Sequence, residues 1–229
     1  MADLAFGDAQ RVNTGLLARM ERRTLMWLAG RLPAWVTSDH LTALAAIAMA
    51  AAGLCYWQAA ASRLLLLGAV AALALNWFGD SLDGTLARVR QQQRPRYGFY
   101  VDHLVDCFGA VFLLAGLGAS GFMHPFIAMG VLVAYLLISI ELYLATYTLT
   151  VFRMSHFGVG PTELRILLAI GTLALFRDPR VAVLGTEYRL FDVGGVVAIL
   201  GVGCALLCAV ARNTRSLYLA EPLPLRGPR

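Results

Sequence analysis

The sequence predicts an all-α integral membrane protein, with an N-terminal amphipathic helix at the membrane interface followed by six transmembrane helices. Three observations predict it. Of the 229 residues, 59% are hydrophobic and 14% charged, where a soluble domain carries about a quarter charged, and the mean hydropathy is +0.68. Apolar runs near the roughly 20 residues needed to cross a bilayer recur along the chain. The polar stretches between them hold most of the arginines. All 19 basic residues are arginine, and the net charge is +5. Because that bias covers the whole chain, it reads as codon usage rather than phosphate recognition, and no nucleic-acid partner is expected. Cys55, Cys107, Cys204 and Cys208 lie in apolar runs without zinc or redox spacing and read as small core residues.

Residues 1–33 form the juxtamembrane unit. Over 12–31, Leu16, Leu17, Met20, Trp27 and Leu28 fall near one helical face and Arg19, Glu21, Arg22 and Arg23 largely on the other. That pattern suits a helix in the interface, its arginines meeting lipid phosphates, and Pro33 closes it. No apolar region accompanies Asp3 and Asp8, so a cleaved signal peptide is not expected.

Residues 34–213 are expected to form a six-helix catalytic domain. Thr37, Ser38 and Asp39 cap a first span over about 39–60. A second covers about 63–90, and residues 91–96, QQQRPR with Pro95, form a turn. A third span covers about 98–119. The fourth, from His124 and Pro125 to about 152, exceeds what a bilayer needs and should tilt or protrude. A fifth covers 161–176, a polar loop 177–192, and a sixth span 193–212. The tail, 214–229, contains Pro222, Pro224 and Pro228 and is expected to be disordered. Six crossings place fifteen arginines on the side of the termini and the 88–96 turn, and four, Arg63, Arg177, Arg180 and Arg189, on the other. The arginine-rich side faces the cytoplasm, and a bacterial cytoplasmic membrane is the expected location.

The chemistry is concentrated in Asp80–Asp106, DSLDGTLARVRQQQRPRYGFYVDHLVD. An ionisable residue at a helix centre in a bilayer costs roughly 2.5–3.5 kcal/mol, so four aspartates here require a function. Asp80, Asp83, Gly84 and Ala87 share one helical stripe. Gly98, Asp102 and Asp106 recur every four residues on the next helix, which the short turn makes an antiparallel neighbour. The carboxylates then converge on one cavity and repel one another. Two divalent cations balance them, and oxygen-only ligands suit magnesium, manganese or calcium rather than zinc. Paired hard cations are typical of phosphoryl transfer. Arg88 stands ready for a phosphate. His103 points about 100° away from Asp102.

The pattern D-x2-D-G-x2-A-R-x9-G-x3-D-x3-D, formed by Asp80, Asp83, Gly84, Ala87, Arg88, Gly98, Asp102 and Asp106, resembles the signature of the CDP-alcohol phosphotransferase (phosphatidyltransferase) family at all eight positions. The resemblance implies the interfacial helix and six spans, two Mg2+ or Mn2+ ions on Asp80, Asp83, Asp102 and Asp106, and Asp106 as general base. It also implies that a cytidine nucleotide lies against Asp83, Gly84, Ala87, Arg88 and Gly98. The donor would be CDP-diacylglycerol or a CDP-alcohol, the partner an acceptor alcohol, the product CMP, and the enzyme a homodimer among membrane lipids. The eight positions do not choose between the donors.

Outside the motif, Glu141 is an intramembrane acid, and Arg153, Glu163 and Arg165 are further candidates for an acceptor pocket. Pro161 and Glu163 also make an ordinary helix start. Two rival readings are an intramembrane prenyltransferase, partly echoed by Asn76, Asp80 and Asp83, and a divalent-cation transporter. The first normally has widely separated motifs, and the second normally has repeats and midplane sites.

Overall fold

The computed structural model describes residues 10–12, 18–149, 151–153, 160–177 and 180–221. Seven helices dominate it: α1 (Ala18–Ala29), α2 (Ser38–Gln58), α3 (Leu65–Val89), α4 (Pro95–Ala119), α5 (Pro125–Leu149), α6 (Pro161–Ala174) and α7 (Leu190–Ala220). Four short strands join them: β1 (Gln10–Val12), β2 (Val151–Arg153), β3 (Arg180–Val183) and β4 (Thr186–Arg189). β1 pairs with β2 in parallel, and β3 with β4 antiparallel. Five helices, α2, α3, α4, α5 and α7, are long and apolar enough to cross a membrane, and the chain is an integral membrane protein. α6 has 14 residues, about 21 Å of helix, against about 30 Å of hydrocarbon.

Several expectations need correction. The stretch 177–192 is not a plain loop, because Leu184 (φ 50°) and Gly185 (φ 83°) turn β3 into β4. Positive φ at both turn residues matches the twist of a hairpin. Pro95 does not sit in the turn but opens α4 at its first position, where its missing N–H costs nothing. α7 continues through Ala220, seven residues beyond the expected limit of the domain, since no proline interrupts it before Pro222. The rest of the tail, 222–229, lies outside the described residues, as do Leu16 and Leu17. Cys204 and Cys208 are exposed on α7, whereas Cys55 and Cys107 are half-buried.

On α1 the polar and apolar faces also differ from expectation. Met20 and Trp27 are 70% and 57% exposed, while Leu25 and Ala29 are buried and pack with Leu41, Leu82 and Leu86 of α2 and α3. Glu21 therefore falls on the protein side. Arg90 fixes the α1–α2 connection: its guanidinium donates to the carbonyls of Leu32 at 3.0 Å, Pro33 at 2.9 Å and Ala34 at 3.4 Å, and also to that of Val36. Thr37 caps α2 by accepting from His40 N at 3.3 Å.

The short turn does not make α3 and α4 close neighbours along their length. Both pack principally on α2, because glycines let α2 approach each backbone. A Cβ on Gly79 of α3 would lie 2.5 Å from Leu41 O and 2.9 Å from Ala45 N. On the other side, Gly53 of α2 meets the backbone of Phe112, and Gly116 of α4 meets that of Gly53. In lipid, such small-residue contacts are a main source of helix association. A second core forms at the far end around Tyr56, Leu66, Leu117, Leu175 and Phe191.

α5 and α7 run parallel. His124 N donates to Asp192 Oδ1 at 2.6 Å near their starts, and Asn213 Nδ2 to Glu141 Oε1 at 2.6 Å farther along. Residues 160–189 therefore return the chain from one end of the molecule to the other. α6 leads that return, from Arg165 beside Asp80 to Thr172 beside Tyr56.

Candidate active site

The candidate site lies between the second half of α3 and the first half of α4. One carboxylate oxygen each from Asp80, Asp102 and Asp106, all half-buried, lies within 4.8 Å of the other two. Such a group repels itself unless positive charge is near. Protein supplies some: Arg165 Nη2 is 2.6 Å from Asp80 Oδ2, with the side chains only 17% and 19% exposed. The second terminal nitrogen of Arg165, Nη1, is buried and has no hydrogen-bond partner among the described residues. An oxygen-only group of three acids in a partly buried pocket fits a hard divalent cation.

Asp83 stands beside this group rather than within it. It is 8% exposed and turned towards α2, where Thr42 Oγ1 donates to its Oδ2 at 2.6 Å. Its other oxygen accepts from Gly84 N, and Ser38 Oγ donates to its backbone carbonyl at 2.9 Å. The close contact at Gly79 is what brings Thr42 within reach.

The model of the CDP-alcohol phosphatidyltransferase family matches residues 31–209. The chain belongs to this family. Its members are transferases of phospholipid synthesis that use a CDP-alcohol donor, an alcohol acceptor and divalent metal. No curated protein matches the chain.

In this member of the family, Gly84 and Ala87 are half-buried and Arg88 is exposed. Arg88 Nη2 donates to Thr85 Oγ1 at 3.1 Å. A Cβ at Gly98 would meet nothing within 4 Å, so the start of α4 faces open space. The turn cluster is partly committed to the protein: besides Arg90, Arg94 pairs with Asp39 and lies 4.1 Å over the Tyr97 ring. The bond to Asp39 holds the Arg94 guanidinium above its ordinary pKa. His103 Nδ1 donates to Phe99 O at 2.7 Å, and its ring stacks on Phe99 and meets Tyr143 edge-on. It packs α4 against α5.

Of the other candidates, Arg165 joins the carboxylates directly. Glu163, two residues before it, accepts from Gly160 N at 3.0 Å and caps α6. Glu141 turns to Asn213 of α7 and is not part of the carboxylate group. Arg153 ends β2, and its side chain lies outside the described residues. Asn76, 3% exposed, donates to Ala45 O at 3.1 Å and thus braces α3 on α2. Sequence reasoning missed Ser38 and Thr42, which resemble ordinary cap and first-turn residues, and Glu21, whose partners are remote in the chain.

Proposed function

We propose that this protein moves a substituted phosphate group from a CDP-linked donor, CDP-diacylglycerol or a CDP-alcohol, to an acceptor alcohol with release of CMP. The observation that carries the reading is the meeting of Asp80, Asp102 and Asp106 oxygens within 4.8 Å. Asp80, Asp102 and Asp106, with Asp83 beside them, would hold two Mg2+ or Mn2+ ions. When bound, the ions supply charge stabilisation to the diphosphate and to the attacking and leaving oxygens.

Asp106 accepts the proton of the acceptor hydroxyl. The freed oxygen bonds to the phosphorus bearing the transferred group, while the bond from that phosphorus to the oxygen of CMP breaks, and CMP leaves with the electron pair. Asp83, Gly84, Ala87, Arg88 and Gly98 receive the cytidine nucleotide, with the small residues admitting it against the helix. Glu163 and Arg165 belong to the acceptor side, with Arg153 and Glu141 as its outlying candidates. The chain crosses the membrane six times, as the parallel course of α5 and α7 favours. It works as a homodimer, with α1 lying at the membrane–water interface and the site on the cytoplasmic side of a bacterial membrane.

The test is CMP release by purified protein with Mg2+ or Mn2+. CDP-diacylglycerol plus a panel of soluble alcohols is compared with CDP-choline and CDP-ethanolamine plus diacylglycerol. Metal-dependent release with one pairing identifies the branch. Metal flux through reconstituted vesicles without release from any pairing would instead favour the transporter.

A further inference from the structure

The carboxylate of Glu21 is well held and has no part in the proposed reaction. Its Oε1 accepts three hydrogen bonds, from Trp77 Nε1 at 2.9 Å, Ser81 Oγ at 3.2 Å and Thr162 Oγ1 at 2.7 Å. Trp77 and Ser81 are one turn apart on α3 and bracket Asp80. Thr162 lies three residues before Arg165 on α6. Two bridges therefore join α3 to α6, from neighbouring residues on α3 to residues about one turn apart on α6: Asp80 to Arg165 directly, and Ser81 to Thr162 through Glu21. Three donors converge on this one oxygen, which fixes the side chain between the two helices.

We infer that Glu21 is a positioning residue of the active site, setting the spacing of α3 and α6 and thereby where Asp80 stands relative to Asp102 and Asp106. The inference rests on reading those three aspartates as the cation site. Glu21 precedes the region matched by the family, residues 31–209, so the family match assigns it no role. A residue that merely docks α1 would affect stability alone. One that positions Asp80 also affects how the site holds a cation, as do other residues that orient metal ligands from behind.

The test uses the full chain in nanodiscs, with Mn2+ as probe, its binding followed by electron paramagnetic resonance and unfolding by a thermal melt. Glu21→Ala is expected to weaken Mn2+ binding about tenfold, and Glu21→Gln less, because an amide oxygen still accepts some of the bonds. Thr162→Val removes one of the three donors and is expected to weaken it by less than Glu21→Ala does. The double variant Glu21→Ala with Thr162→Val should be no worse than Glu21→Ala alone, since both remove the same bridge. Asp102→Ala, which removes the ligand oxygens outright, serves as the reference and should lose Mn2+ binding. Loss there together with unchanged Mn2+ affinity in Glu21→Ala, whatever its melting point, would overturn the positioning role and leave the cation site standing. Unchanged affinity in Asp102→Ala would overturn the cation site and the inference with it. If Glu21→Ala does not fold, Thr162→Val decides, and wild-type affinity in that variant overturns the proposal.

Discussion

At the scale of single residues, four aspartates with one sequence motif have two structural roles. Asp80, Asp102 and Asp106 face one another, whereas Asp83 is tied to α2 by Thr42. Thr42→Val leaves a buried carboxylate oxygen short of a donor, which costs about 1–3 kcal/mol. A thermal melt should show the lower stability, and CMP release should fall with it. Asp106→Asn is expected to abolish turnover while part of the metal and nucleotide binding survives, because an amide coordinates weakly but takes no proton. Equilibrium CMP binding beside a turnover assay checks this, and turnover at the wild-type rate would exclude Asp106 as the base. The aspartates were legible because their spacing of three and four puts each pair on one helical face. Thr42 was not, because its partner lies 41 residues away and nothing local distinguishes it from any first-turn threonine.

At the scale of elements, the positions of α2 to α5 and the capping by Thr37 follow from hydropathy and cap chemistry and were legible, whereas the extension of α7 to Ala220 was not. The β3–β4 hairpin was not read because its strands are four residues long and almost wholly exposed, so no alternation of burial marks them. Its one local signal was Leu184-Gly185 between β-favouring residues. The packing of α3 and α4 on α2 was equally hidden, since it depends on which glycines face a backbone. Gly79 is the decisive one. Gly79→Ala places a methyl 2.5 Å from Leu41 O and forces α2 away, at about 1–3 kcal/mol. The expected result is a lower melting temperature and weaker activity, because Thr42 withdraws from Asp83. A melt as high as wild type, with full CMP release, would show that α2 yields without cost.

At the scale of the whole molecule, arginines gather at both ends. Arg63, Arg180 and Arg189 line one cavity, while Arg90, Arg94 and Arg165 gather at the opposite end with the carboxylates. In a background with the four native cysteines replaced, Gln92→Cys should react with an impermeant maleimide only from the cytoplasmic side, and Ser62→Cys only from the other. Reversed labelling would invert the orientation. The Glu21 bridge also bears on how the protein is made. Thr162 follows Glu21 by 141 residues, so at about 5–20 residues per second a ribosome takes on the order of 7–28 s to supply it. The bonds to Trp77 and Ser81 become possible earlier, once α3 has emerged. The anchoring of Glu21 is thus completed late, and the site acquires its final geometry only when α6 arrives.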